Sequence, residues 1–354
     1  MPEPLQYVPI LKARSGELGA LREVQPLERN RIIPFLDVAP WAPTSEDARP
    51  GRPFTRLVGR LASAWAESGR VLIDTSQAGA AAYEDGDPHH ILARGVTEDG
   101  LRIVPVIAPH ASELARVHPL LLGNGLAIRL RPANFATPPE PALSSVLAAA
   151  GVTPHDVDLV VDLGAVRSDA DESSYFAAVQ MLAAVAPLGA WRTLTLAASS
   201  FPVDLRAIPG SGETRVRRGE WALWRRVREA RVIPAAINFG DYGVSHPDFP
   251  AGPMFQAPPN VRYTTVHEYF IAKRRKRARP GEEPGRELAR FLVGTPEYQA
   301  YGPGFSWGDE EIARYAAKET KERGSGWGGP TEWRKIGTSH HLAVVAAEIR
   351  VAQP

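Results

Sequence analysis

The chain has 354 residues, with 41 Lys and Arg against 40 Asp and Glu and a formal net charge of +1, so no whole-chain field favours nucleic acid or an anionic membrane as a partner. It has no cysteine, which excludes disulfides and thiolate metal ligands and fits a cytoplasmic location. The start, Met1-Pro-Glu-Pro-Leu5, has no basic segment leading into an apolar run, and no stretch reaches the about 20 apolar residues of a membrane helix, so no membrane contact is expected.

Eight short apolar runs follow in order: Tyr7–Lys12, Arg31–Asp37, Arg70–Asp74, Arg102–Ile107, Leu126–Arg131, Asp158–Asp162, Arg192–Ala197 and Val232–Asn238. Continuous apolar runs suit strands buried on both faces, and their starts are far enough apart to hold a helix and two loops. Helices are expected at 17–27, 54–68, 112–122, 142–150, 173–186 and 219–230, where apolar residues recur at three and four positions. Asp169-Ala-Asp-Glu172 places acids ahead of the helix at 173–186, where a helix N-terminus favours them. The pattern predicts an α/β fold, a TIM-barrel-like (β/α)8 barrel, with an open doubly wound sheet as the alternative.

After the eighth run the texture changes. Asn238 to Pro259 reads as a loop over the barrel mouth, Val261 to Phe270 as an extra strand, and Lys273 to Arg279 as a solvated basic run. Gly302-Pro-Gly-Phe-Ser-Trp-Gly308 reads as a turn into a helix. Helices are predicted at 287–293, 309–323 and 340–351, one of them serving as the eighth barrel helix. The expected organisation is a single domain, with residues 1–240 as barrel core and 241–354 as loop, extra strand and helical extension packed on the barrel.

Alternation within strands provides a parity argument. If Lys12 points into the barrel mouth, Ile10 and Val8 line the interior below it; Asp37 shares a face with Phe35, Asp74 with Leu72, and Asp162 with Val160. These charges cap apolar faces at the C-terminal ends of strands, the rim where active sites of such barrels lie. Arg129 and Arg131 beside Asp162 offer forked hydrogen bonds to a small anionic ligand, or neutralise Asp162 in an ion-pair network. Asp37 and Asp74, on neighbouring strands, are the candidate catalytic pair: they divide acid and base roles, hold a divalent metal, or pair with Lys12. No named metal, nucleophile or phosphate-loop motif is present, and the doublets His89-His90 and His340-His341 diverge on a helix or strand, so no metal centre is assigned.

Several segments resemble the phage Beta protein family. They are Tyr7-Val-Pro-Ile-Leu-Lys12 with Gly16-Glu17 and Ala20-Leu21, Pro34-Phe-Leu-Asp37, Ser199-Ser-Phe-Pro202, Arg218-Gly-Glu-Trp-Ala-Leu-Trp224, Phe239-Gly-Asp-Tyr-Gly243 with His246-Pro247, Arg262-Tyr-Thr264, Gly308-Asp309, and Trp333 with His340-His341. They span nearly the whole chain in order. The resemblance implies a single-domain, barrel-like protein linked to phage biology, in which a Beta protein counteracts a killing function encoded beside it. It supplies no reaction and no catalytic residue list.

The leading expectation is therefore a protein of phage defence or toxin antagonism that binds a ligand or partner at the C-terminal rim. Lys12, Arg129, Arg131, Asp162, Ser200, Asn238, Asp241 and Tyr242 are the candidate ligand-binding residues, with Asp37 and Asp74 beside them. The alternative is a metal-dependent hydrolase or phosphodiesterase acting on a phosphorylated or nucleotide-like substrate through Asp37 and Asp74. A pure protein-binding module would instead use exposed aromatics such as Trp307, Trp327 or Trp333.

Overall fold

The computed structural model describes residues 4–39, 52–66, 68–78, 88–121, 123–209, 211–249, 259–275, 283–317 and 328–353. Strands β1 (Tyr7–Leu11), β2 (Phe35–Asp37), β3 (Arg70–Asp74), β4 (Arg102–Ile107), β5 (Leu126–Leu130), β6 (Val157–Ala165) and β7 (Thr193–Ser199) pair in parallel, in chain order. β8 (Gly212–Arg217) lies outside this sheet, and β9 (Asn238–Asp241) bonds to both β7 and β1, closing an eight-stranded barrel. Closure excludes the open sheet. Val8, Ile10, Phe35, Leu72, Val104, Val106, Ala127, Val160 and Ala197 fill the interior. Their neighbours Tyr7, Leu11, Leu36, Ile73, Ile128 and Val161 pack outward against helices, which is why the strands read as unbroken apolar runs. At the lower end of β6, buried Asp158 holds Arg70 (Nε to Oδ2, 2.9 Å) and Arg192 (Nη2 to Oδ2, 2.7 Å) and accepts from Thr193 Oγ1 at 2.6 Å, sealing the barrel floor.

The surrounding helices are α1 (Ser15–Arg22), α2 (Pro26–Arg29), α3 (Arg52–Trp65), α4 (Pro88–Glu98), α5 (Glu113–Val117), α6 (Glu140–Ala150), α7 (Glu172–Val185) and α8 (Gly219–Glu229). The expected helix at 17–27 is split before Pro26, whose ring and missing N–H stop a helix from running through it. The one at 112–122 shortens to α5 and a 3-10 turn that carries Pro119. α4 was not foreseen from the sequence. Asp171 caps α7 by accepting from the Ser174 N–H, as the acidic lead-in suggested.

The eighth strand is displaced from its expected place. Val232 is 52% exposed and Pro234 is solvent-facing, so 232–236 form the approach and the ladder starts only at Asn238. The expected single strand at 261–270 is a hairpin, β10 (Asn260–Thr264) and β11 (Glu268–Lys273), and β8 adds to its edge in the order β10-β11-β8. Helices α9 (Pro284–Val293), α10 (Pro296–Gln299), α11 (Trp307–Ala317) and α12 (Pro330–Val351) follow. A second core forms here around Tyr263, Phe270, Leu288, Ile312 and Trp333. α12 begins at Pro330, earlier than expected, and packs on α1, β1 and β10, so it acts as the eighth barrel helix and ties the second core to the barrel. A Cβ on Gly308 would lie 2.4 Å from the Ile336 carbonyl, so only glycine permits α11 to approach α12 this closely.

Trp333 is 2% exposed, which corrects its expected role as a surface anchor. Residues 250–258 of the expected mouth loop, 276–279 of the basic run, 318–323 of the expected helix, and Trp327 lie outside the described residues. Among the described residues no helix is long and apolar enough to cross a membrane.

Candidate functional site

Asp37 and Asp74 are register partners at the ends of β2 and β3, and Arg129 reaches them across the barrel mouth from β5. Arg129 Nη1 donates to Asp74 Oδ2 at 2.9 Å and to Asp37 Oδ2 at 3.3 Å, while Nε donates to Asp162 Oδ2 at 2.9 Å. Nη2 donates to the Tyr242 hydroxyl at 2.7 Å, and that hydroxyl donates to Asp162 Oδ2 at 2.6 Å. The guanidinium lies 5.0 Å from the Phe35 ring centroid, on the last apolar layer of the barrel interior. Arg129 is only 4% exposed and the three carboxylates no more so, making one buried charge cluster.

Most remaining oxygens are also satisfied. Asp74 Oδ1 accepts from the Ser76 N–H and Asp162 Oδ1 from the Gly164 N–H, both at 2.9 Å. Gly164 holds φ at 68°, a turn that glycine makes without strain and that aims its N–H back at Asp162. Asp37 Oδ1 is the exception, buried with no hydrogen-bond partner among the described residues. Burial pushes the Asp37 carboxyl up from its ordinary range, Arg129 pulls it back, and Asp74 adds to the rise. Burial opposes the Arg129 charge, but Tyr242 and the three carboxylates outweigh it and hold its pKa well above the ordinary value.

A cavity of about 430 Å³ opens above this cluster, lined by Asp37, Gln77, Arg131, Tyr242, Asp248 and Phe249 among others. Arg131 is a more exposed cation here: its side chain is 44% exposed and its Nε stands 3.7 Å from Asp162 Oδ2. Lys12 is covered by the loop after β9, donating to the Asp248 carbonyl with its Nζ 4.3 Å from the centre of the Phe249 ring. It therefore does not form the expected ion pair with Asp37 and Asp74.

Burial, reinforced by Arg14, lowers the Lys12 pKa to about 8. The unfolded chain then binds this proton more tightly, so the group's contribution to stability improves as pH rises from about 8 towards 10.5. Between wild type and Lys12→Met, urea denaturation at neutral pH and near pH 10 is expected to show this rise in wild type alone, roughly 2–3 kcal/mol in size. Parallel pH profiles would disprove it.

A profile of the Beta protein family matches residues 7–347, from the first barrel strand to the last helix. The chain belongs to the Beta protein family. No curated protein matches it significantly.

Three of the expected rim residues sit elsewhere in the Beta-family barrel. Asn238 starts β9, and its Oδ1 accepts from the Gln6 N–H at the N-terminal end of β1, at 2.9 Å. Ser200 serves the start of α8: its Oγ donates to Glu220 Oε2 at 2.5 Å and accepts from the Gly219 N–H at 3.0 Å. Asp241 points outward, accepting from Tyr7 Oη at 2.6 Å and lying 2.9 Å from His341 Nε2. Strand alternation explains this last case, since Gly240 and Tyr242 take the inward parity and Asp241 the outward one.

The two histidine doublets differ in burial. His89 is buried against Thr75 Oγ1 at 2.8 Å while His90 is exposed. His340 and His341 are both buried, because α12 is covered on two sides: His340 Nδ1 meets Asp309 Oδ2 at 2.8 Å and its ring stacks on Tyr263 at 3.7 Å. Gln77 and Phe249 were missed at the rim. Gln77 follows Asp74 by three residues in the loop after β3, which is the signal that points to it.

The metal-hydrolase alternative needs Asp37 and Asp74 free to bind a cation, and in the Beta-family barrel Arg129 already bonds both. Among the described residues no group of three His, Asp or Glu side chains is placed to hold a metal.

Proposed function

We propose that this Beta-family protein binds a small anionic ligand at the C-terminal rim of its barrel, and that this binding serves phage defence or antagonism of a killing protein encoded nearby. The observation that carries the reading is Asp37 Oδ1, a buried carboxylate oxygen without a hydrogen-bond partner among the described residues, on a side chain that lines the same cavity as Arg131. Buried polar atoms are nearly always paired, so an unpaired one on a residue that lines a cavity marks a place for a ligand donor. The ligand class is a molecule with a hydroxyl or amine for Asp37 and a carboxylate or phosphate for Arg131, with the Gln77 amide able to bond either. Arg129 orders the rim and is already saturated, so it holds the acids in place and leaves anion recognition to Arg131.

The experiment is a thermal-melt panel of nucleotides, sugar phosphates and hydroxy acids on wild type and Arg131→Glu. A ligand at 100 times its dissociation constant stabilises by about 2.7 kcal/mol. Stabilisation of wild type and not of Arg131→Glu is the expected result, and loss of protection of cells expressing the neighbouring killing gene should follow in the same variant. Equal stabilisation of both proteins, or protection untouched by the substitution, would overturn the rim reading.

A further inference from the structure

A second cavity, of about 750 Å³, opens on the flank of the barrel between α8 and α12. Trp221, Tyr301 and Phe305 give it aromatic walls, and Val344 and Val351 from α12 complete the apolar surface. Phe305 comes from the glycine-rich turn at 302–308, whose bend lets it reach this place. Arg225, Arg228, Arg231 and Arg350 line the cavity against only two acids, Glu229 and Glu348. Arg231 adopts φ of 52° at the end of α8, a left-handed position where glycine is usual, yet the chain carries an arginine there.

Behind the Trp221 and Glu348 walls of this cavity lies a group of buried polar atoms that lack hydrogen-bond partners among the described residues. Arg218 is fully buried, with Nη1 bonded to Glu348 Oε2 at 2.8 Å and to the Thr265 and Val266 carbonyls at 3.1 Å. Its Nη2, its Nε (3.7 Å from Glu220 Oε1), the Nε1 of Trp221 and the Oε1 of Glu348 are all buried without a hydrogen-bond partner among the described residues. These atoms belong to one patch, since Arg218 stacks over the Trp221 ring at 5.2 Å and bonds Glu348. A smaller adjoining cavity, of about 340 Å³, reaches Arg218 and shares the Trp221, Arg225 and Glu229 walls. Three unpaired donor atoms and one acceptor in a single buried patch are far from the norm, in which such groups are paired.

We propose that the flank cavity, together with the adjoining recess that reaches Arg218, binds a small organic anion, its acidic head accepting hydrogen bonds from Arg218 and Trp221 and its apolar body lying against Tyr301 and Phe305. Head and body match the two halves of the wall: unpaired donors with surrounding arginines for one, aromatic and valine surface for the other. Burial pushes the Glu348 carboxyl up to about 7, so near neutrality it shares a proton and meets the head without full repulsion. The site is independent of the rim, with which it shares no lining residue.

The test is fluorescence titration with the planar sulfonate 1-anilinonaphthalene-8-sulfonate on the full chain, on Arg350→Glu, on Ala347→Trp and on the rim variant Arg131→Glu. Arg350 is exposed and Ala347 is a partly exposed residue of the cavity wall, so both α12 variants should melt as wild type does. Saturable binding weakened by about tenfold or more in both, and unchanged in Arg131→Glu, is the expected result. Displacement by decanoate assigns an aliphatic carboxylate and displacement by AMP an aromatic phosphate. Absence of saturable binding, displacement by neither competitor, or binding by both α12 variants as tight as that of wild type would overturn the proposal.

Discussion

Replacing Arg129 by methionine should cost about 3–5 kcal/mol of stability at neutral pH, because it strands Asp37, Asp74 and Asp162 as buried anions with their shared cation gone. Urea denaturation of wild type and variant measures this directly. The deficit should shrink as pH falls. Asp37 already sits above its ordinary range through burial, with Arg129 as the largest influence lowering it, so removing Arg129 raises it further and makes protonation the cheaper state. Adding Asp162→Asn to Arg129→Met should recover part of the loss, giving a strongly non-additive cycle. An Arg129→Met protein as stable as wild type across this range would mean that the cluster does not bear the fold and that Arg129 is free to recognise a ligand.

Trp333→Ala is expected to destabilise by a similar amount, about 3–5 kcal/mol, through the cavity it leaves in the second core. Trp333 packs with Ile336, Ile312 and Tyr315, the last meeting its ring edge-on at 5.9 Å. Calorimetric melting and denaturant titration would read the loss. Trp307→Ala makes the contrast: its ring is partly exposed and carries Lys335 Nζ at 3.6 Å, a contact worth about 0.5–1 kcal/mol. A Trp333→Ala protein with wild-type stability and impaired partner binding would restore the surface-anchor reading of that residue.

The two substitutions together separate the roles of the two cores. Arg129 lies in the barrel mouth and Trp333, on α12, in the second core, so their effects on stability should add, whereas Arg131→Glu should leave stability near wild type and act on ligand binding alone.

What the sequence determined by itself is what local chemistry determines. Strands buried on both faces need continuous apolar runs, so seven of the eight barrel strands were legible, and strand alternation placed Asp37, Asp74, Asp162 and Arg129 at one end of the barrel. The eighth run misled because Val232 and Ile233 are apolar while Pro234 and its exposed neighbours keep them out of the ladder. β8 and α4 were missed for the opposite reason, since β8, Gly-Glu-Thr-Arg-Val-Arg, is half exposed and α4 buries little beyond Leu92 and His89.

Partnerships across the chain were decided only by the tertiary structure. Proximity of Arg129 to Asp162 and of Asp37 to Asp74 followed from strand order, but that one guanidinium would bond all three acids while Asp37 Oδ1 finds no partner among the described residues depends on barrel closure and on Tyr242 arriving after β9. Asp241 and His341, 100 residues apart, meet because α12 returns to fill the eighth helix position. Chain periodicity reports which face of an element avoids water, and that is a local property. Which charged group neutralises which depends on distances of a few ångströms between segments far apart in sequence, and only the folded chain brings those distances into being.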